Sequence, residues 1–590
     1  MIFSTKGNLF SKIYLYLQII SSNLVLLASF MGFFFYSDIL SAIFSINSSI
    51  FFLFLIGSNM ILLLKKKAII SLRSFLLLTI CIGLVFASFI GQLFYTIKSP
   101  FFSEVSLVVL GSANLVVLYL NESQHNQLDI IIDKNDKKIV IIIFIFLIFR
   151  IFMINGDFIY SDDEYYFNSA IKYVNNEYDL HPNEFLSYLG RDVDWPYPAG
   201  FSILLGVLLK TSIIQNQMVA LIFLKIILVI INSFIVVPIF NYLSEIIKSN
   251  RSRYLVLFII LLNQWNFLES PYLLVDTLYS LFFISSFYFF ILYLQNKKEQ
   301  KNHHNIILAI IFAGLSFHIR PNGIMNAGIQ VFILLIIFIL SRVKKQESNQ
   351  FLFWKNLSQN RGFAYIILIQ LGILSIFYLA FQVEYFIDNN LTTYQVLSNG
   401  IKYGYFGEGN INQFTRVSGF SIPWLIERLS YNIPFYLFNF TQLIGFIHLA
   451  GEINNIVSIL VVVILLSGMI YFWFKKLKNR DLAFLYYLGL FILMIAPILL
   501  WGETYFVLYR WTYPLLVIII PPVYIMFNDI LKKLQSKINF RKVANKTDLC
   551  LIPLLILTLI GSIGFIIVIM FHDASLLWNY TASQFFGISP

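Results

Sequence analysis

Residues 139–198 read IVIIIFIFLIFRIFMINGDFIYSDDEYYFNSAIKYVNNEYDLHPNEFLSYLGRDVDWPYP. Up to Ile154 the run is apolar apart from Arg150, and beyond it the chain turns acidic. Nine carboxylates (Asp157, Asp162, Asp163, Glu164, Glu177, Asp179, Glu184, Asp192 and Asp194) stand against Lys172 and Arg191 before Trp195. The first part suits a membrane helix. The second cannot lie in hydrocarbon, where a charge at mid-depth costs about 3 kcal/mol on insertion scales. The junction therefore predicts a helix that delivers an acidic loop to a membrane surface, with Asp162, Asp163 and Glu164 held near its end. Carboxylates fixed there suggest chemistry or ion binding.

Composition extends this to the whole chain. Of 590 residues, 59% are hydrophobic and only 12% charged, with a mean hydropathy of +0.79. These values predict an all-α polytopic membrane protein and exclude a soluble one. Cys81 and Cys550 both fall in apolar segments, so no disulfide framework or cysteine metal cluster is expected. The net charge of +11 comes from short basic clusters beside apolar runs, which mark cytoplasmic joints rather than a nucleic-acid surface.

Stretches near 11–35, 38–63, 70–95 and 103–120 can each cross a bilayer, which takes about 20 residues. They predict an N-terminal block, residues 1–125, whose first stretch is a helix rather than a removed signal. Lys65, Lys66, Lys67 and Arg73 follow the second stretch, and Lys134, Lys137 and Lys138 the fourth. Both joints are then cytoplasmic, and the helix from 139 runs outward. Parity thus places the acidic loop outside independently of its composition. Residues 198–209 are too short to span and are expected along the outer surface.

Helices are expected near 217–242, 254–268, 272–294, 304–319, 322–341, 362–383, 453–474, 481–499, 508–527 and 549–571, for about fifteen spans in all. A second external segment covers 386–430. The aromatic run 431–449 is left out as interfacial or re-entrant. Residues 528–590 hold a basic joint and the last helix. No internal repeat or soluble domain is evident.

Three segments point to a family. The loop motif Asp162-Asp163-Glu164-Tyr165-Tyr166 is closed by Trp195-Pro196-Tyr197-Pro198. Phe317-His318-Ile319-Arg320-Pro321-Asn322-Gly323 links two helices, and Tyr509-Arg510-Trp511-Thr512-Tyr513-Pro514 comes late. Over about 138–527 this pattern resembles the GT-C superfamily of polyprenyl-phosphate-sugar glycosyltransferases, in particular its protein O-mannosyltransferase and aminoarabinose transferase group. The resemblance implies a GT-C-like helix bundle in the plasma membrane with an outward-facing site. It implies that Asp162 or Asp163 is the catalytic base, with Glu164 beside it, and that Arg320 and Arg510 bind the donor phosphate. Tyr165, Tyr166 and Tyr197 are then candidates for substrate binding. The four N-terminal helices lie outside the matched part.

The chemistry is coherent without the family. Sugar transfer from a polyprenyl phosphate needs a carboxylate to take the acceptor proton and cations to stabilise the leaving phosphate. The donor brings its own activation, and no P-loop pattern is present. No cofactor is required, although Asp162 and Asp163 could hold a divalent cation. The partners implied are the lipid-linked sugar, membrane lipids and a lipid, polysaccharide or protein acceptor, with no nucleic acid. Asp276, near the start of a helix, is either a second active-site carboxylate or a satisfied polar residue of the bundle. Arg320 and Arg510 have snorkelling to headgroups as their alternative, and snorkelling is the expectation for Arg150. His318 is read as a packed histidine. The competing functions are a lipid-linked glycan polymerase, with its site in 386–430, and a flippase or transporter.

Overall fold

The computed structural model describes residues 38–64, 67–123, 127–154, 161–178, 200–212, 216–263, 275–295, 302–320, 323–343, 451–479, 483–500 and 505–537, with scattered positions elsewhere. Seven of the described helices are long and apolar enough to cross a membrane. The fold is that of a helical polytopic membrane protein. The first stretch near 11–35 and most of the aromatic run 431–449, of the last helix near 549–571 and of 386–430 lie outside the described residues.

The chain divides into two compact units. One comprises Met1–Val237, Ser270–Leu278 and Ala380–Asn390. Its elements are α1 (Asp38–Leu64), β1 (Lys67–Ser71), α2 (Leu72–Thr96), α3 (Phe102–Ser123), β2 (Gln127–Ile131), α4 (Lys134–Ile151), α5 (Ser161–Val174), α6 (Gly200–Lys210) and α7 (Gln217–Ser233). The order helix, strand, helix occurs twice, and the two strands pair in parallel from Lys67 with Gln127 to Ser71 with Ile131. Strands of five residues carry too little periodicity for the sequence to announce them.

At this sheet end the helices that leave are capped. Ser71 accepts from the Ser74 amide. Asp133 and Asp136 form a reciprocal capping box at the start of α4, at 2.6 and 3.0 Å. Arg73 then lies 3.5 Å from Asp136 and 3.8 Å from Asp133, joining the starts of α2 and α4. Deeper in the unit, a Cβ on Gly57 of α1 would overlap the Thr79 carbonyl, and one on Gly83 of α2 the Leu53 carbonyl. The glycines let the two backbones touch, as small residues do between membrane helices.

Helix α6 departs from its expected place. Every residue from Gly200 to Leu209 is buried, against α5, α2 and α3. FSILLGVLL is apolar on all sides, and a helix without a polar face needs cover all round. The expected span 217–242 is present as one apolar run, Gln217–Ile246, with a break in its helix. Pro238 has no N–H to give to the Phe234 carbonyl, which accepts from Val237 instead at 3.0 Å. The chain therefore turns through 234–235 and resumes as α8 (Val236–Ile246).

The second unit comprises Pro238–Glu269, Tyr279–Leu379 and Leu391–Pro590. It holds most of α8, α9 (Asn250–Leu261), α10 (Val275–Gln295) beyond its first turn, α11 (Asn302–Ile319), α12 (Ile324–Val343), α13 (Gly451–Lys478), α14 (Ala483–Leu500) and α15 (Tyr505–Lys537). Helix α15 runs past the expected end near 527, so the basic joint begins inside it at Lys532. Lys475 of α13 pairs with Asp529 of α15, and Tyr471 donates to the same carboxylate at 2.9 Å. Gly468 admits the Val523 backbone. In the bundle interior, Gln330 of α12 donates to Ser286 of α10, to Asn326 and to Tyr486 of α14, and accepts from Gln370. Tyr486 donates to Asn326 at 2.5 Å.

Candidate functional site

Asp162, Asp163 and Glu164 form the first turn of α5. Exposed amides and the positive end of the dipole favour carboxylates there. Glu164 is exposed, while the side chains of Asp162 and Asp163 lie outside the described residues. The rest of α5 explains why this turn is held. Tyr166, Ser169, Ala170 and Tyr173 fall on one buried stripe, with the spacing of a helix face. Tyr166 is 2% exposed and meets Phe201 of α6 edge to face at 4.9 Å. Tyr165 is buried against Tyr166 at 5.4 Å. Packing between α5 and α6 accounts for the Tyr166 ring. Tyr197 and the rest of the aromatic-proline segment lie outside the described residues.

The far end of α5 is fastened more tightly. Glu177 N donates to Lys172 O and Asn176 N to Tyr173 O. With Asn176 at φ 61°, this is the Schellman ending of a helix, with asparagine in the place usually held by glycine. The turn after α2 ends the same way, with Lys98 at φ 50° and bonds from Ser99 N to Phe94 O and from Lys98 N to Tyr95 O. Asn176 Oδ1 accepts from Ser103 N at 2.9 Å and from its hydroxyl at 3.0 Å. That amide is one of the orphans at the start of α3. Asn176 Nδ2 donates to Glu104 at 2.8 Å. Lys210, at the end of α6, donates to Glu104 at 2.5 Å and to the Val174 carbonyl at 3.3 Å. Tyr95 donates to Tyr178 O, and Ser169 to Leu180 O.

Tyr173 fills the centre of this knot. Its ring lies on Gly206 of α6, its hydroxyl lies close to Gly91 of α2, and Phe102 of α3 packs beside it at 4.9 Å. Burial pushes its hydroxyl above the ordinary tyrosine range, so it remains protonated beside the Ser106 hydroxyl at 3.1 Å. The knot sits where α2 ends and α3 begins, opposite the sheet end. The C-terminal end of α5 and the basic joint at the start of α4 therefore lie at opposite ends of α2 and α3.

Asp276 belongs to the same unit and is fully buried in the first turn of α10. Asn232 of α7 fixes that turn by donating to the Thr277 carbonyl at 2.5 Å. Arg150 is also fully buried and lies 5.2 Å from the Phe146 ring. This overturns the expectation of snorkelling. Arg150 continues the buried stripe Ile139, Ile142, Ile143 and Phe146, so it faces protein. Lys225, 0% exposed in the middle of α7, was not picked out from the sequence. The available signal was a lone lysine inside MVALIFLKIILVII.

In the second unit, Arg320 is 9% exposed, and its guanidinium lies 5.9 Å from the Tyr279 ring centroid. Arg320 N donates to Ser316 O, and Gly323 N to Arg320 O. The link folds so closely onto the end of α11 that a Cβ at Gly323 would overlap Ser316 and Phe317. His318 is buried, as a packed histidine should be. Arg510 lies near the start of α15, with its side chain outside the described residues. Among the described residues no group of three or more His, Cys, Asp or Glu gathers to hold a metal.

No protein-family model matches the chain, and no curated protein does. Among solved structures, it is similar to the archaeal oligosaccharyltransferase AglB from Archaeoglobus fulgidus in complex with an inhibitory peptide and a dolichol-phosphate, at 14% identity and TM-score 0.40. The apo form of the Archaeoglobus fulgidus oligosaccharyltransferase and a form tethered to an acceptor peptide align at 13% and 0.41. The alignments cover 74% of this chain and 55–56% of the oligosaccharyltransferase.

Proposed function

We propose that the chain is a GT-C-like glycosyltransferase of the plasma membrane. It moves a sugar from a polyprenyl-phosphate donor to a lipid, polysaccharide or protein acceptor at the outer face. The observation that carries this is the support of the acidic turn. Asp162, Asp163 and Glu164 open a helix whose other end is fixed by packing, caps and an ion pair to three membrane-associated helices. Such preorganisation suits catalytic groups, and a loop present only for solubility does not need it.

In this scheme Asp162 or Asp163 takes the proton of the acceptor hydroxyl as that oxygen bonds to the anomeric carbon. The bond from that carbon to the phosphate oxygen breaks, and the electron pair leaves with the polyprenyl phosphate. Arg320 and Arg510 bind the phosphate as its charge develops. Asp276 is a second carboxylate of the site. The test supplies the purified chain in lipid vesicles with radiolabelled polyprenyl-phosphate sugars and a cell-envelope acceptor extract. Transfer from the lipid-linked donor, and none from a nucleotide sugar alone, is expected. Movement of the donor across the vesicle without a new glycosidic bond would instead identify a flippase.

A further inference from the structure

Residues 38–123 precede the segment with catalytic motifs, yet they hold it. The C-terminal end of helix α5 is held on several sides. Its final carbonyl at Val174 is taken by Lys210, its asparagine cap serves the amide of Ser103, and its last buried tyrosine fills a slot made by Gly91, Gly206 and Phe102. The exchange runs both ways, because the start of α3 depends on Asn176 for a partner that its own sequence does not supply. Three further contacts, from Tyr95 to Tyr178 O and from Tyr178 to the carbonyls of Lys98 and Ser99, extend the seam along the α2–α3 turn.

We infer that the α2–α3 hairpin is a fixed abutment for the acidic turn, with Asn176, Glu104, Lys210 and Tyr173 as positioning residues that set where Asp162 to Glu164 stand. This rests on the proposed glycosyl transfer. A 14-residue helix is a short lever of about 21 Å at 1.5 Å per residue. Tilting it by a few degrees at the knot moves its first turn by an ångström or more, and such a displacement costs up to about a hundredfold in rate. None of the four residues touches substrate in this scheme. Their loss should lower kcat and leave KM for the lipid donor nearly unchanged.

The experiment compares the full chain in nanodiscs with Asn176→Gly, Lys210→Met and Lys210→Arg. Asn176→Gly keeps the left-handed backbone, which glycine adopts freely, and deletes only the side-chain cap. Hydrogen exchange over 161–174 and sugar transfer are measured on folded, monodisperse protein. Asn176→Gly and Lys210→Met should speed exchange in α5 and lower kcat about ten- to a hundredfold, with Lys210→Arg recovering much of both. Unchanged exchange, or faster exchange with unchanged kcat, overturns the abutment. A loss of kcat that Lys210→Arg fails to recover also overturns it. If Asp162→Asn and Asp163→Asn each leave transfer intact, the glycosyltransferase site itself is misplaced, a failure distinguishable from that of the knot.

Discussion

Joins at the helix ends and joins inside the bundle use different chemistry. In the first, charged and capping groups meet: Arg73 with Asp133 and Asp136 at the sheet end, Lys210 with Glu104 and Asn176 at the C-terminal end of α5, and Lys475 with Asp529 between α13 and α15. In the second, Gln330, Asn326, Tyr486, Ser286 and Gln370 form a neutral network within the bundle. Ion pairs are favourable where water is near, and amide and hydroxyl groups serve where it is not; the buried Arg150 and Lys225 depart from this pattern. The C-terminal end of α5 is fastened by the first kind of join.

The comparison can be broken by overloading each kind of join. Gly57→Leu should be the most damaging, since the side chain would have to displace the backbone of α2. A loss of about 3 kcal/mol or more is expected, read as loss of folded protein in detergent. Gln330→Leu removes the hub of the neutral network and leaves several buried groups short of a partner. At about 1–3 kcal/mol for each orphan, thermal unfolding should fall clearly, and equally at low and high salt. Asn176→Gly should cost about 1 kcal/mol, the usual worth of a cap, whereas Asn176→Ala should cost more because it also strains the backbone. Lys475→Met should be the mildest. Lys475 is 42% exposed at the side chain, and exposed pairs contribute about 0.2–1 kcal/mol, weakening further as salt rises. A strong salt dependence in Gln330→Leu would contradict the division between the two kinds of join.

Much of this was legible in the sequence because hydrophobic runs set helix positions directly. The expected helices at 38–63, 304–319 and 453–474 stand close to α1, α11 and α13, and Pro321 follows the end of α11 as its missing N–H requires. What escaped depends on partners far away in the chain. The α5 ending was hidden because asparagine, not glycine, takes the left-handed position, and its cap is used by a residue 73 positions away. Arg150 and Lys225 show that hydropathy records a charge without recording which face it is on. Their burial is decided by the packing of α4 and α7. The acidic turn itself was visible from its carboxylates, but the fastening of the other end of its helix was not.

The central claim is that a carboxylate on the first turn of α5 carries the transfer. The direct measurement is the rate of sugar transfer from a labelled polyprenyl-phosphate donor by Asp162→Asn and Asp163→Asn, made separately and matched to the native chain for folded protein. Loss of about a hundredfold or more in one variant, with donor binding retained, is the predicted result. Native rates in both would contradict it.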